Sequence, residues 1–229
     1  VAMSTVLGAT GNCLTHSGRG EPRRPFKYAV AMINPLRELG NEVRGSDFLA
    51  DGENINRENT LLVPLGKWAL KHSHLMNERG YNIGHTEVSP GFKALAAVAA
   101  AEMSVLLRVF TAKPWATDVA AHMASDYWTW SKFQTEFEVD HFITYADLGI
   151  GHVGRNALLK NRGTETWIYL DSMGTGDSYL TTGDNRPYKN SAWGYLSYDH
   201  CVTWNHRNAD YLRQHNQSIK DYSVVGCIW

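Results

Sequence analysis

The chain has 229 residues, of which 43% are hydrophobic and 20% charged, a composition typical of a folded globular protein and not of a disordered one. Its formal net charge of −1 gives no long-range attraction to nucleic acid or to an anionic membrane. The three cysteines lie far apart, so their spacing predicts neither a disulfide framework nor a zinc site, and a reducing compartment is expected.

Short apolar runs alternate with segments of helical pattern along the whole chain. The predicted strands are residues 3–7, 42–48, 61–65, 81–85, 142–146, 166–170, 200–204 and 223–228. The predicted helices are residues 25–39, 66–80, 94–110, 119–132, 152–160 and 205–215, the last with Asn205 as its N-cap. This alternation predicts a single α/β domain, Rossmann-like and three-layered, with a mostly parallel sheet in which the last four strands are neighbours.

The clearest local pattern lies in residues 141–171, which read as strand, glycine-containing loop, helix and strand. The run 142–146 is short, apolar and rich in β-branched and aromatic residues, as in a buried parallel strand. Residues 152–160 have helical composition, and residues 166–170 form a second apolar run. Because parallel strands need such a crossover, the stretch predicts a βαβ unit.

Polar side chains and glycines follow the strands of this unit. In open α/β sheets, ligands bind beyond the C-terminal ends of the strands, and glycines there let the backbone approach a ligand closely. We therefore expect one cleft at that edge, covered by the loop 172–195. Its expected lining residues are Asp147, Gly149, Gly151, His152 and Asp171. A carboxylate beside His152 would raise the pKa of the imidazole.

Residues 145–171, 198–205 and 219–227 carry a resemblance to a known family, and residues 16–26 and 39–44 carry it more loosely. These stretches resemble the first lobe of GT-B-type glycosyltransferases that build bacterial surface polysaccharides. The run Ile219–Cys227, for example, is similar to the segment that leads out of that lobe. No single stretch is a diagnostic motif.

The resemblance implies that residues 1–229 are one Rossmann-like domain, the acceptor-binding lobe of a two-lobe enzyme whose donor-binding lobe lies outside this sequence. Such an enzyme transfers a sugar from a nucleotide-sugar co-substrate to a glycan or other hydroxyl acceptor, with no further cofactor or metal. The lobe alone is expected to fold and to transfer no sugar. The resemblance also implies a cytoplasmic location and no nucleic-acid partner, and it leaves room for peripheral membrane association through the full-length protein.

Inverting sugar transfer needs a general base that takes the proton of the acceptor hydroxyl. Asp147 and His152 are candidates because each follows a strand, and His85 is a third because Glu87 could orient it. Asp147 and His152 could instead only cap or begin the helix. The residues expected to bind substrate are Gly149, Gly151, Arg155, Asn156, Asp171 and Trp193.

Two other classes remain open. Gly8 and Gly11 are spaced like the dinucleotide loop of short-chain reductases, although Leu14 stands where a third glycine is needed. An NAD(P)- or nucleotide-binding Rossmann enzyme is therefore one alternative, and a non-catalytic Rossmann-like binding module is the other. The tryptophans and Tyr195 could stack on sugar rings or pack in the core.

Overall fold

The computed structural model describes residues 22–32, 54–84, 126–145, 147–149, 151–170 and 191–226. The elements in chain order are β1 (Arg24–Met32), β2 (Thr60–Pro64), α1 (Lys67–Glu78), β3 (Asn82–Ile83), α2 (helical residues 126–136), β4 (Phe137–Tyr145), α3 (Gly151–Lys160), β5 (Glu165–Tyr169), a 3-10 turn (Ser191–Tyr195), β6 (His200–Thr203), α4 (His206–His215) and β7 (Asp221–Val224).

Within the described residues, seven strands form one sheet in the order β3-β2-β1-β4-β5-β6-β7, and every neighbouring pair is parallel. The chain extends the sheet from β1 toward β3, returns to its centre, and then extends it from β4 toward β7. This is a Rossmann-like α/β fold. The predicted fold class is confirmed, and so is the prediction that the last four strands are parallel neighbours.

Helices cover both faces of the sheet. On one face, Met76 of α1 packs with Val30 of β1 in one core cluster. On the other face, Trp130 of α2 and Leu159 of α3 pack in the cluster that holds Phe142 of β4. The sheet is therefore the middle of three layers. No helix within the described residues is both long enough and apolar enough to cross a membrane.

Helix α4 lies on the same face as α2 and α3. Thr144 shares a face with Phe142, which is two residues earlier in the same strand. The register pairs Thr144 with Ile168 and Ile168 with Cys201, so this face continues across β5 and β6. Tyr211 of α4 packs in the same cluster as Ile168 and Cys201. The helices that flank the C-terminal half of the sheet therefore form one layer.

The prediction of a helix over residues 25–39 is wrong for its first part, because residues 24–32 form the central strand β1. Ala29, Val30 and Ala31 are all buried, since β1 lies between two strands and is covered on both faces. A strand buried on both faces has a continuous apolar run, which also satisfies the spacing of three and four expected for a helix.

Other predicted elements are present with small shifts of their ends. The strands predicted at 61–65 and 81–85 and the helices at 66–80, 152–160 and 205–215 correspond to β2, β3, α1, α3 and α4. The predicted strands 3–7 and 42–48, the helix 94–110 and the Gly8–Gly11 turn lie outside the described residues.

Asn205 caps α4 as the sequence predicts. Its side chain accepts a hydrogen bond of 2.9 Å from the backbone N–H of Asn208. We expect Asn205→Ala to lower the free energy of unfolding by about 1 kcal/mol, because the first turn then loses an acceptor. Urea unfolding checks this. Asn205→Asp, which keeps an acceptor oxygen, should retain most of the stability, and an equal loss in both variants would contradict the capping role.

Candidate functional site at the switch point of the sheet

The site lies where the direction of the sheet reverses. The chain leaves β1 toward β2 and leaves β4 toward β5, on opposite sides, so a crevice is expected beyond the C-terminal ends of β1 and β4. Residues 147–149 follow β4 at this point, and α3 begins at Gly151. Four of the predicted cleft residues therefore come together here. Two other predicted site residues, His85 and Asp171, lie outside the described residues.

Among the described residues, hydrogen bonds reach only one oxygen of the Asp147 carboxylate, Oδ2. Its Oδ2 atom accepts a hydrogen bond of 2.7 Å from Nη1 of Arg155 and a longer one of 3.4 Å from the Tyr198 hydroxyl. Within the described part of the chain no donor meets Oδ1. A Cβ atom on Gly149 would lie 3.9 Å from Oδ1, an ordinary van der Waals contact, so space beside this oxygen does not require a glycine. The side chain of Asp147 is 17% exposed.

Arg155 is the buried centre of the site. Besides Asp147, it donates to the Tyr198 hydroxyl through Nη2 at 3.1 Å and to Oδ1 of Asn156 through Nε at 2.9 Å. Its guanidinium also lies 4.8 Å from the centre of the Phe142 ring. All three guanidinium nitrogens thus have partners inside the protein, and Arg155 connects Asp147, Tyr198 and Asn156.

Two more of the residues expected to bind substrate are also buried. Asn156 donates from Nδ2 to the Ser197 carbonyl at 2.7 Å, which ties α3 to the segment before β6. Trp193 is 2% exposed, and its carbonyl accepts a hydrogen bond from Asn216. The structure therefore places Asn156 and Trp193 in the buried framework and not on a surface that a substrate could contact.

Tyr198 connects three parts of the site. Its hydroxyl donates to the Asp147 carbonyl at 3.1 Å and lies within hydrogen-bonding distance of Thr144 Oγ1 and of Arg155. Burial raises the pKa of this phenol to about 12, so the hydroxyl keeps its proton and remains a donor at neutral pH. Nothing near Tyr198 in the sequence indicates this role, because Asp147 is 51 residues away.

His152 is buried and both of its ring nitrogens are occupied. The backbone N–H of Ser197 donates to Nε2 at 3.2 Å, so Nε2 is the acceptor and Nδ1 carries the proton. Nδ1 then donates to the Gly149 carbonyl at 2.5 Å. Burial lowers the pKa of His152 and outweighs the opposing effects of the Gly149 carbonyl and of Asp147. Asp147 does raise this pKa as expected, but the expected net upward shift is wrong, because desolvation outweighs the carboxylate.

The loop after β4 is fixed by three aromatic side chains. The successive carbonyls of residues 147, 148 and 149 accept hydrogen bonds from Tyr198, Tyr195 and His152, respectively. These three side chains are called the aromatic stack, because the His152 ring lies nearly parallel to both tyrosines, with ring centres 5.0 Å from Tyr198 and 6.1 Å from Tyr195. Each donor satisfies one carbonyl, so all three backbone acceptors of residues 147–149 are hydrogen-bonded.

Gly151, the first residue of α3, lies close to a side chain of α2. A Cβ atom there would lie 2.9 Å from Oδ2 of Asp126 on α2, which is too close for any other residue without a shift of that side chain. The contact is with the end of a flexible side chain, so a larger residue at position 151 would require only that the Asp126 carboxylate move.

Comparison with known proteins identifies the family. Residues 102–229, more than half of the chain, match the family described as "Polysaccharide biosynthesis PFTS motif protein". The chain belongs to this family. Membership gives it a role in polysaccharide biosynthesis, and the matched segment contains Asp147, Arg155, Tyr198 and the whole aromatic stack. No curated protein and no solved structure matches the chain with significance.

Neutral His152 is hydrogen-bonded through both ring nitrogens, and its protonation makes the stability of the folded protein depend on pH. Unfolded His152 has a pKa near 6.5, and the folded pKa is lower, so the unfolded state binds more protons as the pH falls through about 6.5. The stabilising contribution of neutral His152 is complete above that value and is lost on acidification. Protonation would also remove the acceptor for the Ser197 N–H.

We therefore expect His152→Gln, which cannot be protonated, to lose less free energy of unfolding than the wild type between about pH 7.5 and about pH 5.5. Urea unfolding of both proteins at the two pH values measures the difference, and other histidines contribute equally to both. A loss in the variant as large as in the wild type would show that His152 is not the responsible group.

Proposed function

We propose that this domain is the acceptor-binding lobe of a two-lobe GT-B-type glycosyltransferase of polysaccharide biosynthesis. A sugar or glycan acceptor would bind at the switch point, and a C-terminal lobe would bind the nucleotide-sugar donor, the only co-substrate. The observation that carries the proposal is Asp147, which follows β4 at the edge where ligands are expected and has one carboxylate oxygen held by Arg155, while no described residue donates to the other. A cytoplasmic location and peripheral contact with the membrane through the full-length protein belong to the same proposal.

The reaction needs a proton acceptor, and we assign this role to Asp147. The acceptor hydroxyl attacks the anomeric carbon of the donor, a new C–O bond forms, and the bond to the nucleotide diphosphate breaks with its electron pair leaving on the diphosphate. The hydroxyl proton moves to Oδ1 of Asp147. Arg155 keeps Oδ2 in place through a hydrogen bond of 2.7 Å, so the geometry of the base is set before the acceptor arrives.

Asp147 is a better base than His152 in this arrangement. A base must offer a lone pair to the acceptor hydroxyl, and the only lone pair of neutral His152, on Nε2, already accepts the Ser197 N–H. Burial also leaves His152 1% exposed. His152 therefore serves as a structural support for the loop that carries Asp147. His85 keeps its place as the alternative base.

The position of β1 argues against the NAD(P) alternative. In dinucleotide-binding Rossmann domains, the glycine-rich turn directly follows the central first strand. Here β1 ends at Met32, and the residues that follow, INPLREL, contain no glycine before Gly40. The Gly8–Gly11 pair precedes β1 in the sequence and lies outside the described residues, so it is not the turn that follows β1.

A nucleotide-release assay tests the proposal. The full-length protein is incubated with UDP-, GDP- and CMP-linked sugars and a glycan extract of the source cells, and the nucleotide released is measured. We expect release that depends on the extract. Thermal unfolding with NAD(P)H runs in parallel, because a ligand that binds the folded state raises Tm by mass action. A rise in Tm with NAD(P)H and no acceptor-dependent release would contradict the proposal.

A further inference from the structure

Tyr195 differs from the other aromatic residues near the site in its exposure. Among the described residues, only two large apolar side chains are exposed, Tyr195 at 43% and Val225 at 52%. Of the tryptophans that could have stacked on a sugar, Trp193 and Trp130 are 2% and 5% exposed, and Trp128 is half-buried. Tyr195 is therefore the most exposed aromatic ring among the described residues of this region.

The exposed ring of Tyr195 is held in place. Its hydroxyl donates to the Leu148 carbonyl at 3.3 Å, and its ring lies nearly parallel to the buried ring of His152. Two residues later, the N–H and the carbonyl of Ser197 bond to His152 and Asn156 of α3. A ring fixed in this way loses little conformational freedom when a ligand binds, which favours affinity.

We propose that Tyr195 is a sugar-stacking residue, on whose exposed face a pyranose ring of the acceptor lies. The face of an aromatic ring is electron-rich, and the apolar face of a pyranose presents C–H bonds to it while its hydroxyls point sideways. The Tyr195 hydroxyl bonds to the carbonyl of Leu148, the residue after Asp147, so a sugar on this ring would lie against the loop that carries the Asp147 carboxylate. The catalytic part of this inference depends on the proposed function, whereas binding of the sugar does not.

Saturation-transfer NMR tests binding without turnover. The probes are the methyl glycosides of glucose, galactose, rhamnose and N-acetylglucosamine, added to the full-length protein. We expect at least one of them to receive saturation, most strongly at the C–H protons of one ring face. Tyr195→Phe keeps the ring and should bind within about twofold of the wild type, whereas Tyr195→Leu should bind about fivefold to tenfold more weakly.

Val225→Ala is the matched control, because it shortens an exposed apolar side chain just after β7, which lies three strands from β4 in the sheet. Its affinity for the probe should equal that of the wild type. No saturation of any probe by the wild type would overturn the inference, and so would equal binding by the wild type and Tyr195→Leu. Circular dichroism of Tyr195→Leu confirms that its weaker binding does not come from unfolding.

The outcomes separate this inference from the proposed function. Acceptor-dependent turnover that needs Asp147 but is unchanged in Tyr195→Leu would overturn the stacking role alone. If sugar binding is lost in Tyr195→Leu but Asp147→Asn keeps full turnover, the stacking role of Tyr195 stands and Asp147 is not the base. If both hold, Tyr195→Leu should raise the acceptor KM about fivefold to tenfold with a smaller change in kcat, because stacking contributes mainly to binding.

Discussion

Asp147→Asn is expected to reduce sugar turnover by at least about 10²-fold, the usual scale for loss of a general base. An amide keeps the shape of the carboxylate but cannot accept a proton at neutral pH. The assay is acceptor-dependent nucleotide release by the full-length protein at saturating donor. Asp147→Glu keeps the charge but moves the oxygens by one methylene, and we expect it to fall between the wild type and Asp147→Asn.

Stability must be separated from chemistry in this experiment. The asparagine oxygen can still accept a hydrogen bond from Arg155, but the buried guanidinium loses its counter-charge, so we expect a loss of about 1–3 kcal/mol of folding free energy. Circular dichroism and thermal unfolding set an assay temperature at which all variants are folded. His152→Gln is the matched control, because it disturbs the same loop without touching the carboxylate. Near-normal turnover in Asp147→Asn would move the base elsewhere, and His85 would be tested next.

The parts of the fold that could be predicted are those with local signals. The strand-loop-helix-strand pattern of residues 141–171 and the Asn205 cap both depend on residues within a few positions of one another. The local sequence of β1 does not show whether it is a strand or a helix, because an apolar run buried on both faces lacks the alternation that marks a strand. Its assignment depends on its neighbours, β2 and β4, which lie far away in the chain.

Local sequence patterns predict even less of the candidate site than of the fold. The position of Asp147 after a buried strand was visible in the sequence, because strand ends and glycines are local features. The roles of His152 and Tyr198 were not, since the partner of His152, Ser197, is 45 residues away and that of Tyr198, Asp147, is 51 residues away. Only packing decides whether a histidine after a strand faces a ligand or the interior. Here the segment before β6 covers it.

The loop after β4 and the segment before β6 behave as one structural unit. The aromatic stack joins them through hydrogen bonds to three successive carbonyls, and Arg155 joins them through Asp147 and Tyr198. A change in either segment is therefore transmitted to the carboxylate of Asp147. This coupling makes Arg155, and not an exposed residue, the side chain on which the geometry of the site depends most.

Arg155→Leu is accordingly expected to lower the free energy of unfolding by about 3–5 kcal/mol, because it leaves a mostly buried carboxylate without its partner. The side chain of Arg155 is 4% exposed and that of Asp147 is 17% exposed, so water replaces little of the lost interaction. The leucine also removes one of the donors to the Tyr198 hydroxyl and the donor to the side-chain Oδ1 of Asn156. Urea unfolding measures the change.

Arg213 offers a closely matched control. Its Nη1 atom lies 2.8 Å from Oδ1 of Asp210, and its guanidinium lies 5.0 Å from the centre of the Tyr222 ring. Its side chain is 51% exposed, however, and for such a pair we expect Arg213→Leu to cost at most about 1 kcal/mol. Equal losses in the two variants would show that burial does not strengthen the pair between Arg155 and Asp147.

A double-mutant cycle then isolates the pair itself. If the charges of Asp147 and Arg155 stabilise each other, Asp147→Asn combined with Arg155→Leu should cost less than the sum of the single changes, by about 0.5–3 kcal/mol. The double variant removes both charges, so neither is left buried alone. Additive losses would mean that Arg155 stabilises the fold through Tyr198, Asn156 and the Phe142 ring, and that the orientation of Asp147 does not depend on it.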